Sequence, residues 1–527
     1  MKKRNIRFAV LALLLALILL VIFVDRFHNP AKRPVTLYFC IMNELNNQEH
    51  VLAEFQKRTM EELGLNIRLE SQSPDAYKKN LPNMLRTQSS LDLVFDAPWF
   101  TMNQNISDGL YVDLEPYLES GDYPGLSAVF TDRYLDDSRI NGKLYGLPIT
   151  KNFYDAPGII YRKDLLESYH LGFDTITSLE QLQEFYEAVL THHPEMTPLS
   201  VGSRGFYYLL FEDSLKLQNE NVFDVSGISW PTLPVKVLLS QDQKQVMDVL
   251  FLGDDLAAGE RDYFSEAYLK QADWNRYLSK DSLMSADSAY ALLNGTAASY
   301  ENTLGEGTIS LQDSLQEKFP DATLAFYPSD ASLQKDTRNV RIAKGLTAWN
   351  YICIPKSSRH IEETLQFLDW MFSSQEHNDL FTYGVEGVDW MDVGDQEYRL
   401  NENNENRYEI PAYTFSYHPA YLRVEQRLND KEKELIALTA DPDTFTGSPL
   451  TGFGIDYGSL PAEWEQIRDL YAEYHLQFMH GTYQEKTREK IQEFHQRAED
   501  LGLEHLRQAI RTQIQTFLDQ RSASSQP

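Results

Sequence analysis

The sequence predicts an α/β fold built on open sheets. Strand-like apolar runs at residues 35–41, 66–71 and 91–97 alternate with segments in which apolar residues recur at helical spacing. A chain of 527 residues, of which 42% are hydrophobic, is long enough for two or three domains. Strands that alternate with helices build an open sheet, and ligands of such sheets lie outside the carboxyl ends of the strands.

The N-terminal segment differs in composition from the rest of the chain. Four basic side chains among the first seven residues precede seventeen uncharged residues, Phe8 to Val24, and Asp25 ends the run. This pattern is typical of an export segment, and its length lies at the short end of the range that spans a bilayer. Because no small-x-small cleavage motif follows Val24, we expect residues 1–34 to be a retained anchor with a short linker rather than a cleaved signal. The basic flank places everything after Asp25 outside the cytoplasm.

Charge and cysteine content exclude several classes of protein. The 48 basic and 78 acidic residues give a net charge of −30, which repels nucleic acid and anionic membrane surfaces. The two cysteines, Cys40 and Cys353, lie in strand-like apolar runs. We expect two buried thiols, although a disulfide stays open for a protein outside the cytoplasm. No cysteine directly follows the N-terminal apolar run, so lipid attachment is not supported.

A polar turn with two aromatic residues follows the third predicted strand. The stretch DLVFDAPWF (92–100) places Asp96 and Trp99 where this strand ends. Because the carboxyl ends of strands border the ligand cleft of an open sheet, these residues either line a binding site or cap the sheet. The sequence leaves both interpretations open.

Motifs along the chain resemble those of one protein family. They are DLVF (92–95), GLYVDL (109–114), NGKLYGLP (141–148), IIYRKDL (159–165), ALLNGTAASYEN (291–302), a segment at 348–376 that contains IPKSSRHIEETLQFLDW, and YGVEGVDW (383–390). Their order resembles the extracellular solute-binding proteins of family 1, the maltose-binding-like receptors of ABC importers. The last motif resembles a signature of a longer Gram-positive branch. Ser299 stands where the family has a methionine.

The resemblance implies a two-lobed, type II periplasmic-binding-protein-like clamshell with three hinge crossings and a helical C-terminal extension. The crossings are expected near residues 150–152, 327–328 and 373–375. Lobe 1 is then formed by residues 35–149 and 329–373, lobe 2 by residues 150–328 and 374–520, and a disordered tail by residues 521–527. Two apolar stripes predict core-facing helices in the extension: Trp464, Ile467, Leu470, Tyr471, Tyr474 and Phe478, and then Leu506, Ile510, Ile514 and Phe517.

The sequence lacks the motifs of several enzyme classes. It contains no P-loop, no H-E-x-x-H zinc motif, no Cys/His ligand spacing and no G-x-S-x-G nucleophile motif. The pair His192-His193 is interpreted as part of a solvated loop. We therefore expect no catalytic residue, no cofactor and no metal site, and the ATPase of an importer would be a separate protein.

A sugar receptor needs flat aromatic side chains that stack on pyranose C–H faces and fixed polar groups that bind hydroxyls. Candidates lie at the predicted strand ends and crossings of both lobes. They are Asp96, Trp99, Trp349 and Asn350 in lobe 1, and Tyr154, Tyr300, Glu301, Glu386 and Trp390 in lobe 2. For each residue alone, core or surface packing is at least as common as ligand contact, so the prediction concerns the set.

These inferences predict an extracellular receptor on the cell membrane of a Gram-positive bacterium. It is tethered through residues 8–24, acts as a monomer, captures an oligosaccharide and delivers it to the transmembrane subunits of an ABC permease. Nucleic acid is not expected as a partner. Two alternatives stay open: a secreted carbohydrate-active enzyme, which a saccharide hydrolysis assay distinguishes from a receptor, and a ligand-sensing domain for a signalling partner.

Overall fold

The computed structural model of the protein describes residues 34–524, apart from short gaps at 43–46, 141, 155, 203–204, 207–208, 210–220, 226–232, 255–263, 285–287, 306, 335–341, 343–344, 347, 402, 405 and 409–411. The described strands form one five-stranded and three three-stranded sheets. In spatial order, the five-stranded sheet consists of β2 (Leu65–Gln72), β1 (Val35–Met42), β3 (Leu93–Asp96), β11 (Asn350–Cys353) and β4 (Leu147–Ile149). The first three predicted strands are therefore confirmed.

The three smaller sheets come from later parts of the chain. The second sheet consists of β10 (Leu324–Pro328), β5 (Pro157–Arg162) and β9 (Ser299–Thr303). The third consists of β6 (Val222–Asp224), β7 (Val235–Leu239) and β8 (Val246–Phe251). The fourth consists of β12 (Trp390–Gly394), β13 (Glu397–Leu400) and β14 (Val424–Glu425).

Helices cover the sheets and form the C-terminal region. The described α-helices are α1 (Glu49–Leu63), α2 (Pro74–Thr87), α3 (Met102–Ser107), α4 (Glu115–Leu118), α5 (Pro124–Val129), α6 (Asp132–Asp136), α7 (Lys163–Tyr169), α8 (Leu179–His192), α9 (Ser265–Trp274), α10 (Ser288–Leu293), α11 (Gly307–Lys318), α12 (Ala331–Gln334), α13 (Ile361–Met371), α14 (Gln375–Thr382), α15 (Asp430–Ala440), α16 (Glu463–Met479), α17 (Thr487–Asp500) and α18 (Leu503–Ser524). Short 3₁₀ turns occur at Asn275–Tyr277, Ser282–Met284, Ala412–Thr414, Pro419–Tyr421, Pro442–Thr444, Tyr457–Ser459 and Gln484–Lys486.

The first sheet follows the predicted alternation of strand and helix. β1 pairs in parallel with both β2 and β3, and α1 and α2 make the two connections. The inner residues Leu37 and Phe39 of β1 are fully buried, as is Phe55 of α1. α1 ends where Gly64 adopts a left-handed conformation (φ 68°) and its N–H caps the carbonyl of Met60. The helices are held on the first sheet because their apolar faces are buried against it.

The chain passes between the first and second sheets along two segments. β4 of the first sheet ends at Ile149 and β5 of the second sheet begins at Pro157. The return runs from the end of β10 at Pro328 to the start of β11 at Asn350. The predicted first crossing, residues 150–152, lies within the first passage, whereas the predicted second crossing, residues 327–328, lies at the end of β10, where the second passage begins. Both lobe crossings stay predictions.

The helix at the expected third crossing lies with the first sheet. The ring centroids of Phe381 in α14 and Phe55 in α1 are 3.8 Å apart, and Arg58 Nη1 donates to Glu376 Oε1 at 2.7 Å. The assignment of residues from 374 onward to lobe 2 is therefore wrong for α14, because apolar periodicity shows that a helix faces a core without showing which core it faces. The remaining lobe boundaries stay predictions.

The C-terminal helices pack on the third sheet and on α9. Both predicted apolar stripes are buried in this core, with Phe517 half-buried at its edge. The predicted start of the disordered tail at residue 521 is wrong, because α18 continues through Ser524. The side chain of Arg521 fastens this last turn by donating to the carbonyl oxygens of Ser448, Pro449 and Thr451 at 3.0–3.3 Å.

The two cysteines are free buried thiols in the first sheet. Cys40 of β1 and Cys353 of β11 are both paired with Val94, from opposite sides of β3. Two strand spacings separate their Cα atoms by roughly 9–10 Å, whereas a disulfide needs about 7 Å or less. Burial raises the pKa of both thiols, that of Cys40 to about 12. The alternative of a disulfide is therefore excluded.

The predicted anchor, Phe8 to Val24, lies outside the described residues. In the part of the chain that the structure describes, no helix combines the length and the apolarity that are needed to cross a bilayer.

Candidate functional site

Strand ends of the first and second sheets meet at the two passages of the chain. In the first sheet, β4 ends at Ile149, and antiparallel β11 begins beside it at Asn350, next to the end of β3 at Asp96. In the second sheet, β9 ends at Thr303, opposite Pro157 at the start of β5. Strand ends of this kind are where α/β sheets bind ligands. The fold therefore creates a cleft that is bordered by both sheets.

A cavity of 310 Å³ lies in this cleft. Its wall combines amides, hydroxyls and aromatic rings from both sheets and from the passage between them. The lining residues are Thr150, Lys151, Asn152, Asn302, Thr303, Leu304, Gly305, Thr308, Trp349, Asn350, Tyr413 and Tyr417. Among these described residues three are asparagines, three are threonines and three are aromatic, so the wall offers neutral hydrogen-bonding groups beside flat apolar faces.

Backbone hydrogen bonds hold the first passage in place. Thr150 N donates to Tyr417 O at 3.1 Å, and Leu304 N donates to Ala156 O at 2.8 Å. The ammonium group of Lys151 lies 5.4 Å from the centroid of the Tyr417 ring. The passage is thus tied to the 412–417 segment on one side and to the end of β9 on the other.

One lining hydroxyl has an unmet hydrogen-bonding capacity. Thr308 lies in the first turn of α11 and is 6% exposed. Its hydroxyl oxygen is buried and has no hydrogen-bond partner among the described residues. A buried unpaired hydroxyl costs about 1–3 kcal/mol.

Residues 47–377 match the family model of the bacterial extracellular solute-binding proteins. The chain belongs to this family. Among the relatives of this solute-binding protein is a carbohydrate ABC transporter substrate-binding protein of Streptococcus pneumoniae serotype 4, which is 21% identical over 372 residues, 70% of this chain and 68% of the relative.

Solved structures resemble this solute-binding protein over most of its length. The crystal structure of the N-glycan transport solute-binding protein NgtS from Streptococcus pneumoniae has a TM-score of 0.70 at 17% identity and covers 92% of this chain and 100% of its own. An HMO-binding, ABC-transporter-associated solute-binding protein from Bifidobacterium longum infantis has a TM-score of 0.58 at 14% identity and covers 92% of this chain and 99% of its own. At these identities the likeness concerns the fold, and it confirms the predicted α/β type II clamshell with its helical C-terminal extension.

Three of the residues predicted for lobe 1 come together at the cavity. Trp349 and Asn350 line it, and the indole Nε1 of Trp99 donates to Asn350 Oδ1 at 3.0 Å. Trp99 is 50% exposed and Trp349 is 44% exposed, so neither side chain is part of a core.

Asp96, the fourth residue predicted for lobe 1, is fully buried and is not among the lining residues. Its Oδ1 accepts hydrogen bonds from Ala97 N, Thr101 N and Thr101 Oγ1, and its Oδ2 accepts from Asn105 Nδ2 and Tyr111 OH. Burial raises the pKa of Asp96, and these donors oppose the rise. The carboxylate therefore organises the turn after β3, and this turn carries Trp99.

Tyr154, Tyr300 and Glu301 lie near the cavity without lining it. The hydroxyl of Tyr300 accepts a hydrogen bond from the amide of Asn302, which does line the cavity. Glu301 accepts from Leu209 N at 2.7 Å. The hydroxyl of Tyr154 donates to Asp330 Oδ2 at 3.0 Å. Each side chain supports the second lobe or the passage between the sheets.

Glu386 and Trp390 lie in the fourth sheet region and not at the cavity. Glu386 is exposed, whereas Trp390 is 2% exposed. The Trp390 Nε1 donates to Gly384 O at 3.0 Å, and the Arg423 guanidinium lies 5.0 Å from its ring centroid. Their prediction depended on a third crossing near residues 373–375, and the packing of α14 on the first sheet removes that premise.

Sequence reasoning missed the second-lobe wall and the two tyrosines. Asn302 and Thr303 are the last two residues of β9, and Leu304 and Gly305 follow it, so the rule that strand ends border the cleft would have found all four if the end of β9 had been placed at Thr303. Tyr413 and Tyr417 lie outside regular strands, in a segment whose only sequence signal is its aromatic content.

Proposed function

We propose that this solute-binding protein is the extracellular receptor of an ABC importer and captures an oligosaccharide in the cavity between its lobes. The observation that carries this proposal is the cavity wall, in which asparagine amides from the first and second sheets and threonine hydroxyls lie beside Trp349, Tyr413 and Tyr417. Amides and hydroxyls match the hydroxyl groups of a sugar, and aromatic rings match its C–H faces.

Two relatives support a carbohydrate as the solute. The Streptococcus pneumoniae relative is a carbohydrate ABC transporter substrate-binding protein. Crystal structures of NgtS contain Man1GlcNAc and Man5GlcNAc. The same class of ligand suits the neutral amides and hydroxyls of this cavity.

Delivery to the permease follows from the two-lobed architecture. A sugar that contacts both lobes gains contacts only when the lobes are closed, so it shifts the population toward the closed form. We propose that the protein acts as a monomer and carries out no chemical step on the sugar. The permease recognises the closed form and so distinguishes a loaded receptor from an empty one.

The proposal predicts that oligosaccharides stabilise the protein. A panel of Man1GlcNAc, Man5GlcNAc and a short and a long human-milk oligosaccharide is added at increasing concentration during thermal unfolding. A ligand at one hundred times its Kd adds about 2.7 kcal/mol to the free energy of unfolding, which raises Tm by several degrees. The sugars are recovered and weighed by mass spectrometry. An unchanged Tm with every saccharide, or recovery of cleaved sugar, would contradict the receptor proposal.

We further propose that the protein is tethered to the cell membrane through residues 8–24. The support is the basic flank and the length of the apolar run in the sequence. Native protein is expected in the membrane fraction with its N-terminal peptide intact. Mass spectrometry of the purified protein checks this, and a mature N-terminus beyond Val24 would instead establish a cleaved signal.

A further inference from the structure

Among the residues that the structure describes, the exposed tryptophans are concentrated at the cavity. Of the six described tryptophans, four are at most 7% exposed: Trp274, Trp370, Trp390 and Trp464. The other two, Trp99 and Trp349, are 50% and 44% exposed, and both lie beside Asn350. A single exposed apolar side chain needs no explanation, but two exposed indoles at one cavity form a patch typical of a binding surface.

The two indoles differ in their position relative to the cavity. Trp349 forms part of the wall, whereas Trp99 does not. The hydrogen bond from Trp99 Nε1 to Asn350 Oδ1 nevertheless fixes the Trp99 ring directly beside a wall residue. Trp99 is therefore a rigid aromatic face outside the cavity, where water covers half of it in the absence of a ligand.

A second aromatic ring lies beside Trp99 and is not among the residues that line the cavity. The ring centroid of Phe100 lies 5.7 Å from that of Trp99, and Phe100 is half-buried. The fully buried Tyr77 stacks on Phe100 with 6.0 Å between the ring centroids, and the ammonium group of Lys78 lies 6.0 Å from the Phe100 centroid. We call Trp99 and Phe100 the outer aromatic strip.

The cavity is too small to hold a long oligosaccharide completely. At 310 Å³ the cavity lies at the lower end of the range of about 300–1,000 Å³ that is usual for ligand sites. A short saccharide fills such a volume, and a longer one has to extend outside. An aromatic face can bind the C–H face of a further sugar residue without matching each of its hydroxyls.

We infer that the outer aromatic strip is a subsite outside the cavity that binds the additional sugar residues of a longer oligosaccharide and so sets a preference for chain length. The inference rests on the proposed function and specifies its ligand as an oligosaccharide longer than the cavity. Because Trp99 is held by Asn350, the strip is already ordered before the sugar arrives, and little conformational entropy is lost on binding.

The test compares short and long members of one saccharide series. Isothermal titration calorimetry is carried out on the wild type, Trp99→Ala and Trp99→Phe with Man1GlcNAc and Man5GlcNAc, and with the short and long human-milk oligosaccharides if that series binds. Trp99→Ala is expected to weaken binding of the long member about threefold to tenfold more than binding of the short member. Trp99→Phe keeps an aromatic face but loses the same hydrogen bond to Asn350, so it controls for any change in the cavity wall and should retain most of the preference.

Two controls separate a subsite from a structural effect. Met247→Ala removes a 53% exposed apolar side chain from the third sheet and should change neither affinity. Denaturant unfolding of Trp99→Ala should match the wild type, because the side chain is half exposed. An equal loss of affinity for both lengths, or no loss for the long member, overturns the inference. A wild type that binds the two lengths equally also overturns it and leaves the proposed function intact, whereas failure of every saccharide to bind removes the proposed function itself.

Discussion

Replacing Trp349 by alanine is expected to lower the affinity for an oligosaccharide about 30-fold or more. A tryptophan that becomes buried when its partner binds contributes roughly 2 kcal/mol or more to the free energy of binding. Trp349 lines the cavity and is 44% exposed, so a ligand can cover a large part of its ring. The free energy of unfolding should change by less than about 1 kcal/mol, since an exposed side chain leaves little empty volume when it is removed. Calorimetric titration and urea unfolding of the same preparation measure the two quantities.

The same substitution at Trp390 gives a matched control. Trp390 is 2% exposed and packs with Tyr383 and Tyr398. Trp390→Ala should therefore lower the free energy of unfolding by about 3–5 kcal/mol, while the protein that remains folded binds its ligand with unchanged affinity. A reversal of this pattern, with Trp349 decisive for stability and Trp390 for affinity, would place the ligand away from the cavity.

Replacing Asp96 by alanine is expected to lower the free energy of unfolding by about 3–5 kcal/mol, because it leaves a network of buried donors without their acceptor. The carboxylate accepts five hydrogen bonds, from Ala97 N, Thr101 N, Thr101 Oγ1, Asn105 Nδ2 and Tyr111 OH. Chemical unfolding followed by circular dichroism measures the loss.

Two milder variants keep this prediction testable even if Asp96→Ala does not fold. Asp96→Asn keeps the shape and one acceptor oxygen, so it should lose less than Asp96→Ala. Thr101→Val removes a single hydroxyl, which donates to Asp96 and accepts from Asn105, and should lose about 1–2 kcal/mol. Saccharide affinity of the folded protein should stay within about twofold for both. A stable Asp96→Asn protein with greatly weakened binding would instead support the sequence-based prediction that Asp96 contacts the ligand.

Much of the local structure could be predicted because it depends on periodicity. The strands β1, β2 and β3 appear as short apolar runs, and the stripes of α16 and α18 recur every three or four residues. Burial selects apolar side chains at the spacing of the element that carries them, so the spacing reveals the element.

The candidate site could be predicted in part, and the division has a structural reason. Trp99, Trp349 and Asn350 were found because each lies next to a strand terminus: Trp99 follows β3, Trp349 precedes β11, and Asn350 is the first residue of β11. Tyr300 and Glu301 were placed on the same argument, but they lie inside β9, where pairing with β5 and packing keep them buried. When the end of a strand is predicted a few residues too early, residues that support the site are selected instead of the residues that line it.

The sequence by itself determined the elements, their buried faces and the family to which the chain belongs, because these follow from local spacing and from motifs in a fixed order. Only the tertiary structure decided which core α14 packs on, that Cys40 and Cys353 lie on opposite sides of β3, and that Tyr413 and Tyr417 reach the cavity. Each of these depends on contacts between residues that are far apart in the chain. Such contacts are selected by the fit of whole surfaces, and an apolar or aromatic residue carries the same sequence signal whichever surface it meets.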